Sequence, residues 1–535
     1  MRWSPKVVLL LGMGLFTPAL LIYAQSDKPA EIHAKPASQA ATEEEVAQLR
    51  REVAELRAIV QQLVRTGGSP AQSQTRLMQA NFVPDPEQPD ASATPAEAPS
   101  PEIRSSGREI DAVNKSAGDT TLSTSGWNGE HFFLRSPDGN FTLMPVGYMN
   151  ANYNFYKGNG APPDTFSIQR ARFGVQGNFG KQVDYALLLE SASSISIRDA
   201  FLDFKPWSFF NITGGQFRVP FSHEVTTPDT NFEFSSRSIV SVLYPNFGAG
   251  GFRAPGIEAY GDLLGGHVQY WVGAFNGQGL LESGTTNEPE FVGRLRFSPW
   301  KQSIHAGLKG FAIGASVDHS RSKALAGELS FNGLLTDGTY TFFPQFRING
   351  GIERYNGYFV LLNGPLGLRG EYTQVLEKRT GIGSIAPDGA GFNSLPGVVG
   401  KGAYGILTYL LTGESESEYA IPHVKHPVIG PNSPGETGGP GWGAWQLKFR
   451  YSWLEGSAPG SICDANTIPA CPLTPGTVPA FSDHTNQITA GLNWYLNYWV
   501  LVKLDLNIDQ LKNPSVQGIL PRNYFVFSNG IQFRF

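Results

Sequence analysis

Val500-Leu501-Val502-Lys503-Leu504-Asp505-Leu506-Asn507-Ile508-Asp509 alternates with period two. One parity carries Val500, Val502, Leu504, Leu506 and Ile508, and the other carries Leu501, Lys503, Asp505, Asn507 and Asp509. Successive side chains of a strand point to opposite faces, so this segment reads as a strand with one face suited to hydrocarbon and the other to water. Upstream, Trp445, Leu447, Phe449, Tyr451 and Trp453 alternate with Gln446, Lys448, Arg450 and Ser452, with a tryptophan at each end of the apolar row.

The same alternation recurs across residues 131–535. In a soluble sandwich the aromatics would be mixed through a dry core. Here they gather at strand ends, Trp445 with Trp453 and Trp494, Tyr495, Tyr498 and Trp499 in a cluster, as rings resting at two membrane interfaces would. The final run sets Phe525, Phe527, Ile531, Phe533 and Phe535 on one face, opposite Val526, Ser528, Gln532 and Arg534. An aromatic at the end of such a strand resembles the signal read when barrels are inserted into an outer membrane. Ile531, Phe533 and Phe535 are therefore expected to present it to the barrel-assembly machinery. At ~10 residues per tilted strand, the expected fold is all-β, a transmembrane antiparallel β-barrel of about 16 strands with about 18 as the alternative, wide enough to hold water.

Composition agrees. Of 535 residues, 16% are charged and 12% aromatic, and 62 are glycine, a mixture for strands joined by Gly-rich turns. The formal net charge of -5 implies neither nucleic acid nor a strongly acidic substrate as a partner.

Arg2 and Lys6 precede an apolar run over residues 7–16, then Pro18 and Ala24, which reads as a secretory signal peptide over 1–24. Downstream, no uncharged apolar stretch of about 18 residues occurs, which excludes a helical membrane protein. Val46, Leu49, Val53, Leu56, Val60 and Leu63 recur at spacings of three and four, with Glu45 and Glu52 at g positions and Arg50 and Arg57 at e positions. Residues 43–65 are thus expected to form a short parallel coiled coil on the periplasmic side, too short to count its chains. Residues 66–130, with Pro70, Pro84, Pro86, Pro89, Pro95, Pro99 and Pro101 among Ala, Ser, Gln and Glu, read as a disordered linker. Cys463 and Cys471, the two cysteines, lie in a Pro/Ser/Thr-rich stretch and are expected to form a disulfide that staples a surface loop once exported.

A known family has stretches like several of these. Ile168-Gln169-Arg170-Ala171-Arg172-Phe173-Gly174-Val175, Asp199-Ala200-Phe201-Leu202-Asp203-Phe204-Lys205-Pro206 and Gly215-Gln216-Phe217-Arg218-Val219-Pro220-Phe221 resemble early strands of the phosphate-selective porin O and P family, the last leading to its constriction loop. Phe291-Val292-Gly293-Arg294-Leu295-Arg296-Phe297-Ser298-Pro299-Trp300, Tyr409-Leu410-Leu411-Thr412-Gly413-Glu414-Ser415, Gly443-Ala444-Trp445-Gln446-Leu447-Lys448-Phe449-Arg450-Tyr451 and Asn493-Trp494-Tyr495-Leu496-Asn497 follow in the same order. The resemblance implies a homotrimer of barrels in a Gram-negative outer membrane, surrounded by its lipid, with inward arginines that draw inorganic or organic anions to a constriction. It implies no cofactor, metal or enzymatic activity.

By parity, Arg170, Arg172, Arg218, Arg294, Arg296, Lys448 and Arg450 lie opposite apolar neighbours. A basic side chain on the lipid face near the midplane costs ~2–4 kcal/mol, so these seven are expected to line the lumen and attract anions. Glu190, Asp199, Asp203, Glu371 and Asp505 are expected to face inward as their partners. The span 221–236 holds no Lys or Arg, whereas phosphate-selective members of the family carry lysines there, so a modest anion preference is expected rather than strict phosphate selectivity. A sugar porin would line its lumen with aromatics, but here parity turns most of them outward, and a barrel tethered through its coiled coil is the structural alternative. Ser222, His223 and Glu224 read as a polar junction rather than a catalytic group, and His423 and His426 as an exposed loop rather than a metal site.

Overall fold

The computed structural model describes residues 124–128, 131–158, 161–192, 194–246, 251–277, 287–303, 306–322, 328–330, 345–381, 394–430, 441–458, 481–512 and 522–535. The signal segment, the coiled coil, most of the linker and the Cys463–Cys471 pair lie outside the described residues.

Two short strands, β1 (Ser125–Trp127) and β2 (Phe132–Arg135), pair with each other, and β2 pairs with β3 (Phe141–Lys157), the first strand of the barrel. β1 falls within the stretch read as the end of the linker. Then follow β4 (Thr165–Phe179), β5 (Val183–Glu190), β6 (Ser196–Trp207), β7 (Phe210–Arg218), β8 (Arg253–Leu263), β9 (Val268–Phe275), β10 (Glu290–Phe297) and β11 (Gly310–Ser322). A separate ribbon, β12 (Glu328–Ser330) with β13 (Gln345–Arg347), interrupts the order. The wall resumes with β14 (Gly350–Asn363), β15 (Leu366–Arg379), β16 (Leu395–Leu410), β17 (Ala444–Ala458), β18 (Phe481–Tyr495), β19 (Val500–Lys512) and β20 (Arg522–Arg534). Each barrel strand runs antiparallel to the next, and β20 pairs with β3 from Phe525–Lys157 to Arg534–Tyr148, closing a barrel of sixteen strands, β3–β11 and β14–β20. Closure leaves no open strand edge, the condition for a sheet to stand in lipid.

The two faces of the wall are inverted relative to a soluble sheet. On β17, Leu447, Phe449 and Tyr451 are 49%, 43% and 44% exposed, while Lys448 and Arg450 between them are 3% and 0%. Charge points inward and hydrocarbon outward. On β19 likewise, Lys503, Asp505, Asn507 and Asp509 are buried.

Short turns gather at one end of the barrel. Residues 180–182, 208–209, 264–267, 364–365 and 496–499 make them, and Phe535 closes onto the same end through its backbone bonds with Gly147 (2.9 and 3.0 Å). Gly364, with φ of 54° and open space where a Cβ would stand, opens the two-residue turn between β14 and β15. Long connections crowd the other end. Two connections break the rule by leaving from the short-turn end, 298–309 with twelve residues and 411–443 with thirty-three.

The alternation slips once in the sequence 166–170. Phe166 and Ile168 are exposed outward although they share parity with Arg170. A bulge between Asn150 and Ala151 of β3 accommodates an extra residue, Gln169, on β4, and re-aims Arg170 into the lumen.

Candidate functional site

The 28 described residues from Val219 to Asn246 leave the wall between β7 and β8 and cross the lumen. Their first turn is helical, His223–Thr226, capped by the Ser222 hydroxyl, which accepts from Val225 N at 3.0 Å. Ser222 holds a φ of 60°, a left-handed conformation that a serine adopts at a cost and that turns the chain off the strand. Glu224 folds the loop on itself, accepting from Ser238 N (2.7 Å), Ser238 Oγ (2.6 Å) and Tyr244 Oη (3.0 Å), while its own backbone N–H donates to Glu371 Oε1 on β15 (2.6 Å). Val219, Phe221, Val225, Ile239, Val240 and Leu243 pack against inward apolar residues of the wall, among them Val375, Val398, Tyr404, Ile406 and Leu454.

The far side of the loop is tied down by four cations and one amide. Lys448 Nζ donates to Glu233 O (2.8 Å), Lys503 Nζ to Phe232 O (2.6 Å), Arg450 Nη1 to Ser236 O (2.9 Å), Gln532 Nε2 to Thr230 O (2.7 Å) and Arg534 Nη1 to Asn231 Oδ1 (3.1 Å). Asp505 accepts from Ser235 N (2.7 Å) and Lys448 (2.7 Å). These partners sit on β17, β19 and β20, across the ring from where the loop departs. Bonds from charged groups to backbone are about twice the strength of neutral ones, so the loop is pinned rather than draped.

Residues 412–430 enter from the short-turn end and meet this loop. Glu418 accepts both arms of Arg296 (2.9 and 2.7 Å) and lies 3.1 Å from His223 Nε2. Arg369 on β15 joins the two segments, pairing with Glu233 of the loop (2.7 Å) and donating to Ser417 O of the insert (3.3 Å). Asn231 donates to the carbonyl of Tyr419. Ile421 and Val424 seat the insert on Leu410, Ala444, Tyr495 and Leu501. Burial works against ionisation of Glu418, yet Arg296 and His223 outweigh it and hold the carboxyl well below the ordinary range.

An arginine cluster lines the wall from β4 to β8. Arg172 pairs with Glu190 and Asp229 (both 2.6 Å), Arg218 with Asp229 (3.0 Å), Arg237 with Asp229 (2.7 Å), and Arg253 with Asp199 (2.8 Å). Arg170 and Arg198 stand within the same field. Burial again opposes ionisation of Asp229, and Arg218, Arg172, Arg170 and Arg237 overcome it, holding its carboxyl far below the carboxylate range. Among the described residues, six guanidinium groups gather here with Asp229, Glu190 and Asp199, and Glu224 adds its charge beside Arg237.

The seven basic residues read from parity therefore divide three ways. Arg172 and Arg218 belong to this cluster, and Lys448 and Arg450 pin the loop from the opposite wall. Arg294 and Arg296 are held elsewhere: Arg294 donates to Tyr358 Oη (2.7 Å) and Thr226 Oγ1 (2.9 Å) between the rings of Trp271 and Tyr358, and Arg296 is spent on Glu418. Only Arg170 of the seven is half-exposed, its guanidinium donating to Gln169 Oε1 (2.9 Å), which also accepts from Asn150 (3.1 Å) and Asn152 (3.3 Å). The expected acidic partners Glu190, Asp199, Asp203, Glu371 and Asp505 all face inward, and Asp203 bonds Thr213 and Tyr260. Residues that sequence reasoning did not single out include Asp229, Glu233, Arg237, Arg253, Arg354, Arg369, Glu416, Glu418 and Lys503. Further round the wall, Glu290, Asp318 and Glu377 surround Arg354 on β10, β11, β14 and β15, an acidic stretch. Ile531, Phe533 and Phe535 project outward, and His423 and His426 are exposed. His223 is buried in the loop.

Among solved structures, the barrel is similar to a loop-deletion mutant of OmpT from Vibrio cholerae (12% identity, 74% of this chain and 100% of that one, TM-score 0.46). It is also similar to the outer-membrane channel DcaP of Acinetobacter baumannii (12%, 75% and 99%, 0.44) and to an anion-selective porin from Comamonas acidovorans (13%, 74% and 100%, 0.43). No curated protein matches the chain. The family model for phosphate-selective porin O and P matches residues 146–514, which take in most of β3, β4 to β19, the lumen-crossing loop and the insert described above. With more than half of its length matched, this chain belongs to the phosphate-selective porin O and P family, and is an outer-membrane channel.

Proposed function

We propose that the channel passes small solutes by passive diffusion and prefers anions, with the arginine cluster of β4–β8 as the source of that preference. The observation that carries this reading is the gathering of six guanidinium groups around Asp229 and Asp199, with Arg170 half-exposed among them. In a wall of low dielectric such a gathering of guanidinium groups raises the local anion concentration and offers N–H donors in place of lost hydration. Arg172, Arg218, Lys448 and Arg450 contribute charge from behind the loop, while Arg294 and Arg296 serve mainly to position the loop and the insert.

The working form is a homotrimer in the outer membrane of a Gram-negative cell, delivered by a signal peptide and inserted by the barrel-assembly machinery through Ile531, Phe533 and Phe535. Its coiled coil stands in the periplasm on the linker, and Cys463 bonds Cys471 in a surface loop. Permeants are inorganic or organic anions, with phosphate as one member of that class. No chemistry is performed on them.

Purified protein in a planar bilayer tests the reading. Stepwise conductance with a reversal potential in asymmetric salt that favours the anion is expected, and a cation-selective reversal potential would overturn it. A silent bilayer would favour the structural, tethered barrel instead.

A further inference from the structure

On the outer face of the wall, hydrocarbon stops abruptly near the long-loop end. Along β11 the outward residues run Ile313, Ala315, Val317 and then His319 and Arg321. Along β15 they run Leu368, Tyr372, Gln374, Leu376 and then Lys378. β14 lies between them, and opposite Arg321 it offers Gly351 rather than a side chain. A Cβ there would come within 3.7–3.9 Å of Lys378 Cδ, Cε and Nζ, so the lysine stem lies over the glycine, in the same cross-strand row as Arg321. Below it stand the exposed rings of Tyr355 and Tyr372.

The charges of this patch are unevenly matched. Arg321 pairs with Glu288 (2.6 Å, both about half-exposed), and His319 with Glu353 (2.7 Å). Lys378 has no carboxylate within salt-bridge distance among the described residues. An ammonium left on a lipid-facing wall above an aromatic belt sits where lipid headgroups do, and tyrosine rings at that level are suited to the boundary between headgroup and acyl chain.

From this juxtaposition we infer that Arg321, Gly351 and Lys378 form a docking trough for the phosphorylated headgroup of an outer-leaflet glycolipid, whose acyl chains lie against Tyr355 and Tyr372. The inference rests on the outer-membrane reading, because it needs the long-loop end to face the outer leaflet. Phosphate oxygens accept from the Lys378 ammonium and the Arg321 guanidinium, and with no side chain at position 351 only the flexible stem of Lys378 stands between the headgroup and the backbone.

The test uses full-length protein reconstituted in phosphatidylcholine vesicles doped with bisphosphorylated lipid A, extracted in mild detergent, with retained lipid counted by native mass spectrometry. Lys378→Ala and Arg321→Ala should each lower retention about fivefold, the effect of one basic residue near a charged surface. Gly351→Leu should lower it with every charge in place. Lipid A stripped of its phosphates should be retained poorly by the unaltered protein. Equal retention of the stripped lipid, or no loss in the Lys378→Ala/Arg321→Ala double variant, would overturn the inference. Unit conductance of each variant, measured in parallel, should match that of the parent because the trough lies outside the lumen. Loss of conductance in the parent itself would instead strike at the channel reading.

Discussion

Arg170 and Arg172 on β4 and Arg294 and Arg296 on β10 present the same pattern, two arginines at alternate positions facing the lumen. Their surroundings differ completely. The β4 pair joins four more guanidinium groups around Asp229, Glu190 and Asp199, and Arg170 remains open to the lumen. The β10 pair is closed over, Arg294 between two aromatic rings and Arg296 against Glu418, in a sector where Glu290, Asp318 and Glu377 crowd Arg354. Parity settles which way a side chain points. It does not settle what meets it there, and that decides whether an arginine steers ions or holds a loop.

The strongest way to break the contrast is at Asp229, which three arginines share. Asp229→Ala should destabilise the barrel by about 3–5 kcal/mol, because buried guanidinium groups lose their counterion, and denaturant unfolding would register it. The cost should exceed that of Glu353→Ala, whose exposed pair with His319 is worth at most about 1 kcal/mol. Comparable costs would mean that Asp229 does not anchor the loop.

Next in size is a difference in selectivity. At roughly 8 Å and an effective dielectric near 40, a unit charge changes an ion's energy by about 1 kcal/mol, or about fivefold in relative permeability. Arg170→Ala should therefore lower the anion-to-cation permeability ratio by a factor of up to about five, read from reversal potentials. Arg294→Ala should leave that ratio nearly unchanged and show instead as lost stability, since the side chain is fully buried and bonds Tyr358 and Thr226. A larger selectivity change at Arg294 than at Arg170 would reverse the assignment.

A smaller effect is expected where the two inward segments meet. Arg369→Gln removes the cation that joins Glu233 to the insert, and should raise current noise and unit conductance modestly as residues 412–430 loosen. An identical current trace would show that Ile421 and Val424 hold the insert unaided.

How much of this could be read from the chain alone follows from range. The barrel was legible because period-two alternation is local: Trp445 to Trp453 and Val500 to Asp509 declare both faces within ten residues, and sixteen strands follow from the length of such runs. The inward lysines and arginines were legible for the same reason. Their partners were not, because Lys448 meets Glu233 at a separation of 215 residues, and Arg296 meets Glu418 at 122. No spacing rule encodes such contacts. The bulge at Gln169 was also hidden, since one extra residue shifts parity without leaving a mark of its own. Residues 411–443, rich in Gly, Pro and Ser, read as an ordinary loop, and their place at the short-turn end emerges only when the strands are counted around the ring.

The smallest expected change is in pH, and its sign follows from the two loop carboxylates. Asp229 and Glu418 are both held below their ordinary range when folded, so the unfolded chain binds the proton more readily than the native one. The stability they lend is therefore fully present above the ordinary carboxylate range, near pH 4, and is lost only as pH falls through the depressed folded values. The stability difference between the parent and Asp229→Asn should therefore stay flat from about pH 7 to about pH 5 in denaturant unfolding, and shrink only in stronger acid. A loss of that difference within the window would mean that the pairs with Arg172, Arg218 and Arg237 are not what keeps the lumen-crossing loop in place.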